Sequence, residues 1–134
     1  GKDGSEWETI IMDLYNNYTE TKVLRAYLEC SLWTSTDDVD EYLDTNFCIE
    51  DIHEESMTMA MADVKKFLEM INIDELDLED SAVGHDFWLT RNGHGAGFWD
   101  RNYDKKTETI LMEAVEQFPE VWLYLGDDKK LHFS

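Results

Sequence analysis

The sequence has no uninterrupted run of about 18 apolar residues, the length that a membrane-spanning helix needs. Its first residues also lack the basic start and apolar stretch of a signal peptide. Cysteine is scarce: only Cys30 and Cys48 occur, without CxxC spacing or a Cys/His cluster. We therefore expect two reduced, core-filling thiols rather than a disulfide or a zinc site. Together these absences predict a soluble, cytosolic protein that does not contact membranes.

Positive charge is the second shortage. The 134 residues include 31 Asp and Glu but only 11 Lys and Arg, which gives a formal net charge of −20 at pH 7. This balance argues against direct binding to nucleic acid or anionic lipid, which requires an electropositive surface, and favours a basic partner. Hydrophobic residues still make up 43% and aromatic residues 13% of the chain. That content excludes an acidic disordered chain and predicts one folded domain over residues 1–134.

The negative charge is concentrated in the N-terminal part. Residues 1–80 carry 22 acidic and 5 basic residues, whereas residues 81–134 carry 9 and 6. No Lys or Arg lies between Arg25 and Lys65, or from Phe67 to Thr90. We predict that carboxylates in these two stretches bind the partner. The first acidic segment comprises Asp37, Asp38, Asp40, Glu41, Asp44, Glu50, Asp51, Glu54 and Glu55, and the second comprises Asp74, Glu75, Asp77, Glu79 and Asp80.

Apolar residues at helical spacing predict four helices, over about 5–18, 21–33, 52–71 and 104–118. Ser5, followed by Glu8, has the spacing of a capping box for the first helix. Residues 35–46 are expected to form an acidic loop or a short helix, because Asp and Asn disfavour helix interiors. The turn residues 126–129 predict a C-terminal hairpin of strands 121–125 and 130–133.

Asn92-Gly93 carries the strongest short hairpin signal in the chain, because both positions of that turn require a positive φ. It predicts strands over 85–91 and 94–100. The sequence thus predicts an α+β fold: N-terminal helices over 1–80, strongly acidic, packed beside a small antiparallel sheet of two hairpins with an intervening helix over 81–134.

The register of this first predicted hairpin places Trp88 across from Gly97 and Asp86 across from Trp99. Such a flat face suits a planar ligand such as a nucleotide, with an arginine as anion contact. The alternative ligand-binding residues are therefore Asp86, Trp88, Arg91, Gly95, Gly97, Trp99 and Arg101. A purely structural role, in which Trp88 covers the glycines and the polar groups hydrogen-bond one another, is also open.

Catalytic and metal motifs are missing. The predicted register separates His85 from His94, and no serine or cysteine nucleophile is placed beside either histidine. The acidic clusters lack the Gly and the twelfth-position Glu of an EF-hand loop, and the Gly-rich stretch 93–97 lacks the lysine of a phosphate loop. We expect no enzymatic activity, no cofactor and no metal.

The stretch GHDFWLTRNGHGAGFWDR, residues 84–101, resembles the signature of a family of small acidic bacteriophage-encoded proteins. The stretch LYLGDD, residues 123–128, is similar to that family's ending. The resemblance implies a phage origin and a location in the host cytoplasm. It implies no activity and no catalytic residues.

The charge pattern leads to a hypothesis of DNA mimicry. DNA-binding proteins carry basic grooves matched to a regular array of phosphates, and a folded domain rich in carboxylates can occupy such a groove. The partner would be a basic host nucleic-acid-binding protein of a restriction, CRISPR, recombination or repair system.

The carboxylates could instead serve only to keep the surface soluble. A nucleotide-binding module is also open, as is a protein-binding adaptor that uses Met57, Met59, Met61 and Met70, which equally suit core packing. The chain could also form a homodimer.

Overall fold

The computed structural model describes the backbone of residues 5–134 and the side chains from residue 8 onward. Within this part of the chain there are five α-helices and one antiparallel hairpin, which confirms the α+β class. The helices are α1 Ser5–Asp13, α2 Thr19–Thr34, α3 Glu54–Met70, α4 Asp80–Arg91 and α5 Lys105–Val115, and the strands are β1 Leu123–Leu125 and β2 Leu131–Phe133. None of the described helices is long and apolar enough to cross a bilayer.

The four helices that were predicted from apolar spacing are confirmed as α1, α2, α3 and α5, although α1 ends at Asp13 and not near residue 18 as predicted. The side chain of Ser5, the predicted cap of α1, lies outside the described side chains. His53 precedes α3 and accepts a hydrogen bond from the Glu55 N–H at 3.2 Å. Asp104 precedes α5 and accepts one from the Thr107 N–H at 2.7 Å, as expected of an N-cap.

Helix α2 is the centre of the core. Nine of its sixteen residues are buried, so it is covered on several sides rather than along one stripe. Tyr27, near the middle of α2, packs against Phe87 with ring centroids 5.2 Å apart and edge-on against Trp88 at 5.4 Å. Phe87 in turn stacks on Phe67 of α3 at 4.2 Å. This aromatic cluster joins α2, α3 and α4.

The predicted C-terminal hairpin is also confirmed, with Tyr124 paired with His132 in the register. Its turn closes through a hydrogen bond from the Lys129 N–H to the Gly126 carbonyl at 3.0 Å. Strand β2 is covered on its other edge, because the His53 N–H donates to the Leu131 carbonyl at 2.8 Å. Strand β1 is therefore the outer strand of this small sheet.

The first predicted hairpin is wrong, because residues 80–91 form helix α4 instead. The buried residues of α4 fall at i, i+1, i+4, i+5 and i+8, a helical rather than an alternating pattern; they are Val83, Gly84, Phe87, Trp88 and Arg91, together with Asp86. Of the two residues expected to have a positive φ, only Gly93 does, at 67°, whereas Asn92 has a φ of −103°, and the pair ends the helix. The Gly93 N–H bonds to the Thr90 carbonyl and the His94 N–H to the Leu89 carbonyl, the pattern of a Schellman motif.

A glycine allows α4 to pack very closely against α2. A Cβ on Gly84 would lie 2.8 Å from the Ala26 Cβ and 2.9 Å from the Tyr27 nitrogen, and it would collide with the Val23 carbonyl oxygen. The helix can reach this position only with glycine there. The close contact with α2 favours a helix at a position where glycine, by local propensity alone, disfavours one.

After α4, residues 92–101 fold back along the helix, and we call this stretch the return loop. The Phe98 N–H donates to the Thr90 hydroxyl at 3.0 Å, and the Phe98 side chain is fully buried. Gly97 has a φ of 151° and lies against the Thr90 hydroxyl, so a side chain is excluded there. Residues 84–101 thus form most of helix α4 and the return loop, which is hydrogen-bonded to that helix.

Candidate protein-interaction surface

The fourteen carboxylates of the two acidic segments lie almost entirely at the surface. Eleven are exposed, and only Asp37, Asp51 and Asp80 are half-buried. Within the described residues, Asp80 is the only one of the fourteen in a salt bridge, with 3.5 Å between its Oδ2 and the Lys22 Nζ. The negative charge of these segments is therefore largely unneutralised by neighbouring side chains.

The beginning of the first acidic segment is a tight loop that the Asp37 carboxylate holds in shape. Asp37 Oδ1 accepts hydrogen bonds from the Val39 and Glu41 N–H groups, both at 2.9 Å. Asp40 adopts a φ of 62° at the tip. This arrangement leaves the side chains of Asp38, Val39 and Asp40 exposed, while Asp37 has a structural role.

The rest of the first acidic segment is fixed by similar local bonds. Asp51 accepts a hydrogen bond from the Cys48 N–H at 2.8 Å, and Glu41 accepts one from the Asn46 side chain at 2.6 Å. Glu50 accepts one from the Tyr15 hydroxyl at 3.2 Å. Burial and the neighbouring Glu50 charge raise the pKa of Tyr15. The backbone carrying these carboxylates is therefore well tied down.

The first acidic segment begins at one end of α2, and the second acidic segment ends beside the other end. Lys22 and Asp80 pair near the starts of α2 and α4, and the Trp88 indole donates to the Thr34 hydroxyl near their ends at 2.7 Å. The two helices therefore run in the same direction. The second acidic segment leads into the start of α4, whereas the first follows Thr34 at the far end of α2, about 24 Å away for a sixteen-residue helix.

The first acidic segment then runs back toward the start of α2. Glu50 contacts Tyr15, and the Arg25 guanidinium lies 5.8 Å from the centre of the Tyr15 ring. A shallow groove on the same side of α2 is lined by Lys22, Arg25 and Glu29 and by residues 78–81 of the second acidic segment. Both segments therefore border one polar stripe of α2, in which Lys22 and Arg25 interrupt the negative charge.

The predicted ligand-binding face between Trp88 and Trp99 is wrong, because it required the hairpin. Trp88 is 2% exposed and packs in the core, whereas Trp99 is 47% exposed on the return loop. Gly97 lies against Thr90 rather than across from Trp88, and Gly95 is exposed with no neighbouring atom within 4 Å of a Cβ built on it.

Asp86, Arg91 and Arg101 belong to structural ion pairs. Asp86 is completely buried, and Arg101 reaches it with its Nε at 3.0 Å and its Nη2 at 2.7 Å. Arg91 is 5% exposed and bonds to Asp63 at 2.8 Å, to the Tyr27 hydroxyl at 3.0 Å and to the Pro119 carbonyl. These contacts connect α4 to the return loop, to α2, to α3 and to the segment after α5. These three residues therefore have a structural role.

The buried Asp86 charge affects its neighbours. Burial, with a further contribution from Asp86, raises the pKa of the Cys30 thiol to about 12. Burial and Asp86 also raise the pKa of Tyr103, while Arg101 opposes that shift. Both cysteines are free as predicted, but only Cys30 fills the core, because Cys48 is exposed.

The methionines of α3 do not form an open surface. Met57 is fully buried, Met59 and Met61 pack against the core, and Met70 is 36% exposed. The core-packing interpretation therefore fits Met57, Met59 and Met61, but not Met70.

A small cavity that the sequence did not indicate lies beside strand β1. It has a volume of about 230 Å³ and brings together three distant parts of the chain, among them Ser35, Thr36, Asn92, His94, Glu120 and Trp122. We call it the Trp122 groove. The sequence signal that could have revealed one wall is the alternation of exposed Glu120, Trp122 and Tyr124 with buried Val121 and Leu123. The rest of the groove depends on α4 being a helix.

Comparisons of the chain with protein-family models, with curated proteins and with solved structures find no match. In the described part of the chain, no group of three or more His, Cys, Asp or Glu side chains is arranged to hold a metal ion.

Proposed function

We propose that this protein is a phage-encoded DNA mimic that inhibits a host protein by occupying its basic nucleic-acid-binding groove. The observation that carries the proposal is the pair of acidic segments, with eleven exposed carboxylates and a single salt bridge among the fourteen within the described residues. An unneutralised surface of this kind attracts a cationic groove at long range and speeds association.

The fixed backbone of the first acidic segment also supports this proposal. Asp37, Asp51 and the Tyr15 contact hold the loop in one shape, so its exposed carboxylates lose less conformational entropy on binding than those of a disordered tail. Restriction, CRISPR, recombination and repair proteins are the expected targets, and the resemblance of residues 84–101 to a phage family favours a location in the host cytoplasm. Direct binding to nucleic acid is not expected from a chain with a net charge of −20.

A salt-titrated capture experiment tests this function. The immobilised protein is exposed to bacterial lysate at about 50 mM salt, and retained proteins are eluted with rising salt, which weakens charge-driven binding. We expect a basic nucleic-acid-binding protein to be retained and to be displaced by duplex DNA in a purified competition assay. Retention of no such protein at low salt, or binding that DNA does not compete with, would contradict the proposal.

A pair of variants with the same total charge separates a specific acidic surface from general solubility. Asp38→Asn, Asp40→Asn and Asp44→Asn together remove three exposed charges from the first acidic segment, whereas Glu113→Gln, Glu116→Gln and Asp127→Asn remove three exposed charges elsewhere. We expect the first triple variant to bind the captured target about tenfold more weakly, since each exposed ion pair contributes up to about 1 kcal/mol. Equal weakening by both would mean that only net charge matters.

A further inference from the structure

We propose that the Trp122 groove binds an arginine side chain presented by an extended basic peptide segment, and that this segment pairs with the free edge of β1. The inference rests on the proposed function only for the positive charge of the partner. The Trp122 groove would be a second contact site, separate from the two acidic segments, and would recognise an extended basic peptide of the partner.

The floor of the groove is rigid and its polar groups are already paired. The Trp88 indole donates to the Thr34 hydroxyl at 2.7 Å. Asn92 donates to the Trp88 carbonyl at 3.0 Å and accepts from the Val121 N–H at 2.9 Å. These bonds tie α4, the end of α2 and the segment before β1 together, so the groove exists without a ligand.

The open wall combines a carboxylate with an exposed indole. Glu120 and Trp122 are two residues apart, both are exposed, and both line the groove. Trp122 is 68% exposed, the most exposed of the tryptophans whose side chains are described, although it lines a cavity. A groove that contains both a negative carboxylate and an indole suits a planar guanidinium, which can hydrogen-bond to the carboxylate and stack on the indole. The cavity of about 230 Å³ is large enough for one such side chain but small for a nucleotide.

The free edge of β1 supplies a second, independent feature. Trp122 exchanges main-chain hydrogen bonds with Ser134 at 3.1 and 2.9 Å, so in an antiparallel ladder the main-chain groups of Leu123 and Leu125 face away from β2. Among the described residues, no hydrogen bond reaches those outward groups. An unpaired edge of this kind accepts an extended peptide as an added strand. Leu123 itself lines the groove, so such a peptide would bring alternate side chains to it.

The side-chain part is tested with N-acetyl-arginine amide, with the uncharged citrulline analogue as control. The readout is the set of indole N–H signals in a ¹H–¹⁵N NMR spectrum, with the Trp122 signal assigned from Trp122→Leu. We expect arginine to shift the Trp122 signal but not that of Trp99, and citrulline to shift neither. Equal shifts with both compounds, or no arginine-dependent shift at Trp122, would overturn this part.

Matched variants test the two recognition groups. Glu120→Gln and Trp122→Leu are each expected to weaken arginine binding about threefold to fivefold, as for one exposed charge or cation–π contact. Binding to each variant is followed at the backbone amide signal of Val121, which also lines the groove, because Trp122→Leu removes the indole signal. Glu116→Gln and Trp99→Leu change an exposed carboxylate and an exposed indole elsewhere, and should leave binding unchanged. The triple variant of Asp38, Asp40 and Asp44 should also bind arginine normally, so a failure of the DNA-mimic proposal would be distinguishable from a failure here.

The main-chain part is tested by amide hydrogen exchange with an extended peptide of alternating arginine and threonine. The Tyr124 N–H, which faces β2, should be protected with or without peptide, whereas the Leu123 and Leu125 N–H groups should gain protection only when the peptide is bound. Peptide binding that shifts Trp122 without protecting these two amides would overturn the strand pairing.

Discussion

In α4 and the return loop, Asp86 is fully buried and Arg91 is 5% exposed, and each is held by short hydrogen bonds to an oppositely charged side chain. In the two acidic segments, eleven of fourteen carboxylates are exposed, and one of the fourteen forms a salt bridge within the described residues. The same types of charged residue therefore have different roles in the two regions. In the first they fix how the elements pack, and in the second they remain available to a partner.

The largest effect is expected from breaking a pair in the first region. Arg91→Ala removes a buried guanidinium that contacts Asp63, Tyr27 and Pro119, and leaves their polar groups without partners. We expect the free energy of unfolding to fall by about 3–5 kcal/mol, as when one partner of a buried pair is removed. Urea denaturation followed by circular dichroism measures this loss. A loss no larger than that of the exposed control Lys105→Ala would contradict the structural role of Arg91.

A second prediction concerns the close contact of α4 with α2. Gly84→Ala places a methyl group against the Val23 carbonyl and the Ala26 side chain, so the helices must move apart. We expect a destabilisation of about 1–3 kcal/mol, as is typical of overpacking. Gly95→Ala is the matched control, because a Cβ there has no neighbouring atom within 4 Å. Equal stability of the two variants in urea would mean that α2 and α4 are not in such close contact.

Gly84 and Gly93 also indicate how far the fold could be predicted from the sequence. Helices α1, α2, α3 and α5 were predictable because their apolar spacing and their tertiary packing agree. The hairpin prediction from Asn92-Gly93 was wrong because a glycine with a positive φ occurs both in hairpin turns and at the ends of helices. The spacing of Val83, Phe87 and Trp88 does fit a helix, but Gly84 disfavours a helix locally, and its close contact with α2 depends on tertiary structure that the sequence pattern does not show.

The candidate surfaces were predictable to different degrees. Exposure of the acidic segments follows from the cost of burying unpaired carboxylates, so their composition alone indicated a surface. The Trp122 groove joins the end of α2, the end of α4 and the start of β1, and its floor depends on Asn92 capping contacts. A sequence interpretation that placed Asn92 in a hairpin turn could not bring these three parts together.

A smaller effect, restricted to alkaline pH, is expected from Cys30. Burial, together with the Asp86 charge, raises the pKa of its thiol from 9.0 to about 12. Above pH 9 the unfolded chain loses this proton while the folded chain keeps it, so the unfolded state binds fewer protons and stability falls as pH rises from 9 toward 12. Below pH 9 the thiol is neutral in both states and no such loss occurs.

This effect is tested with Cys30→Ala. The free energy of unfolding in urea is measured for the variant and for the unmodified protein at several pH values between about 8 and about 10.5, a range that begins below the ordinary thiol pKa. We expect the variant to lose stability less steeply with rising pH. Some slope should remain in both proteins, because burial also raises the pKa of Tyr27. Parallel slopes would contradict a buried, neutral Cys30.

The smallest effect on stability is expected from the triple variant of Asp38, Asp40 and Asp44, which is also the variant expected to weaken binding of the captured target. Asp38, Asp40 and Asp44 are exposed and form no salt bridge within the described residues, so replacing all three with Asn should change the free energy of unfolding by less than about 0.5 kcal/mol. Any change should be a slight gain at low salt, because mutual repulsion among carboxylates is relieved, and should vanish at high salt. Urea denaturation at two salt concentrations measures it. Asp37→Ala is the contrasting variant, because it removes the acceptor of two main-chain hydrogen bonds that hold the loop, and it should destabilise more. If the triple variant unfolded more easily than Asp37→Ala, the exposed carboxylates would have a structural role, and the distinction between the two regions would not hold.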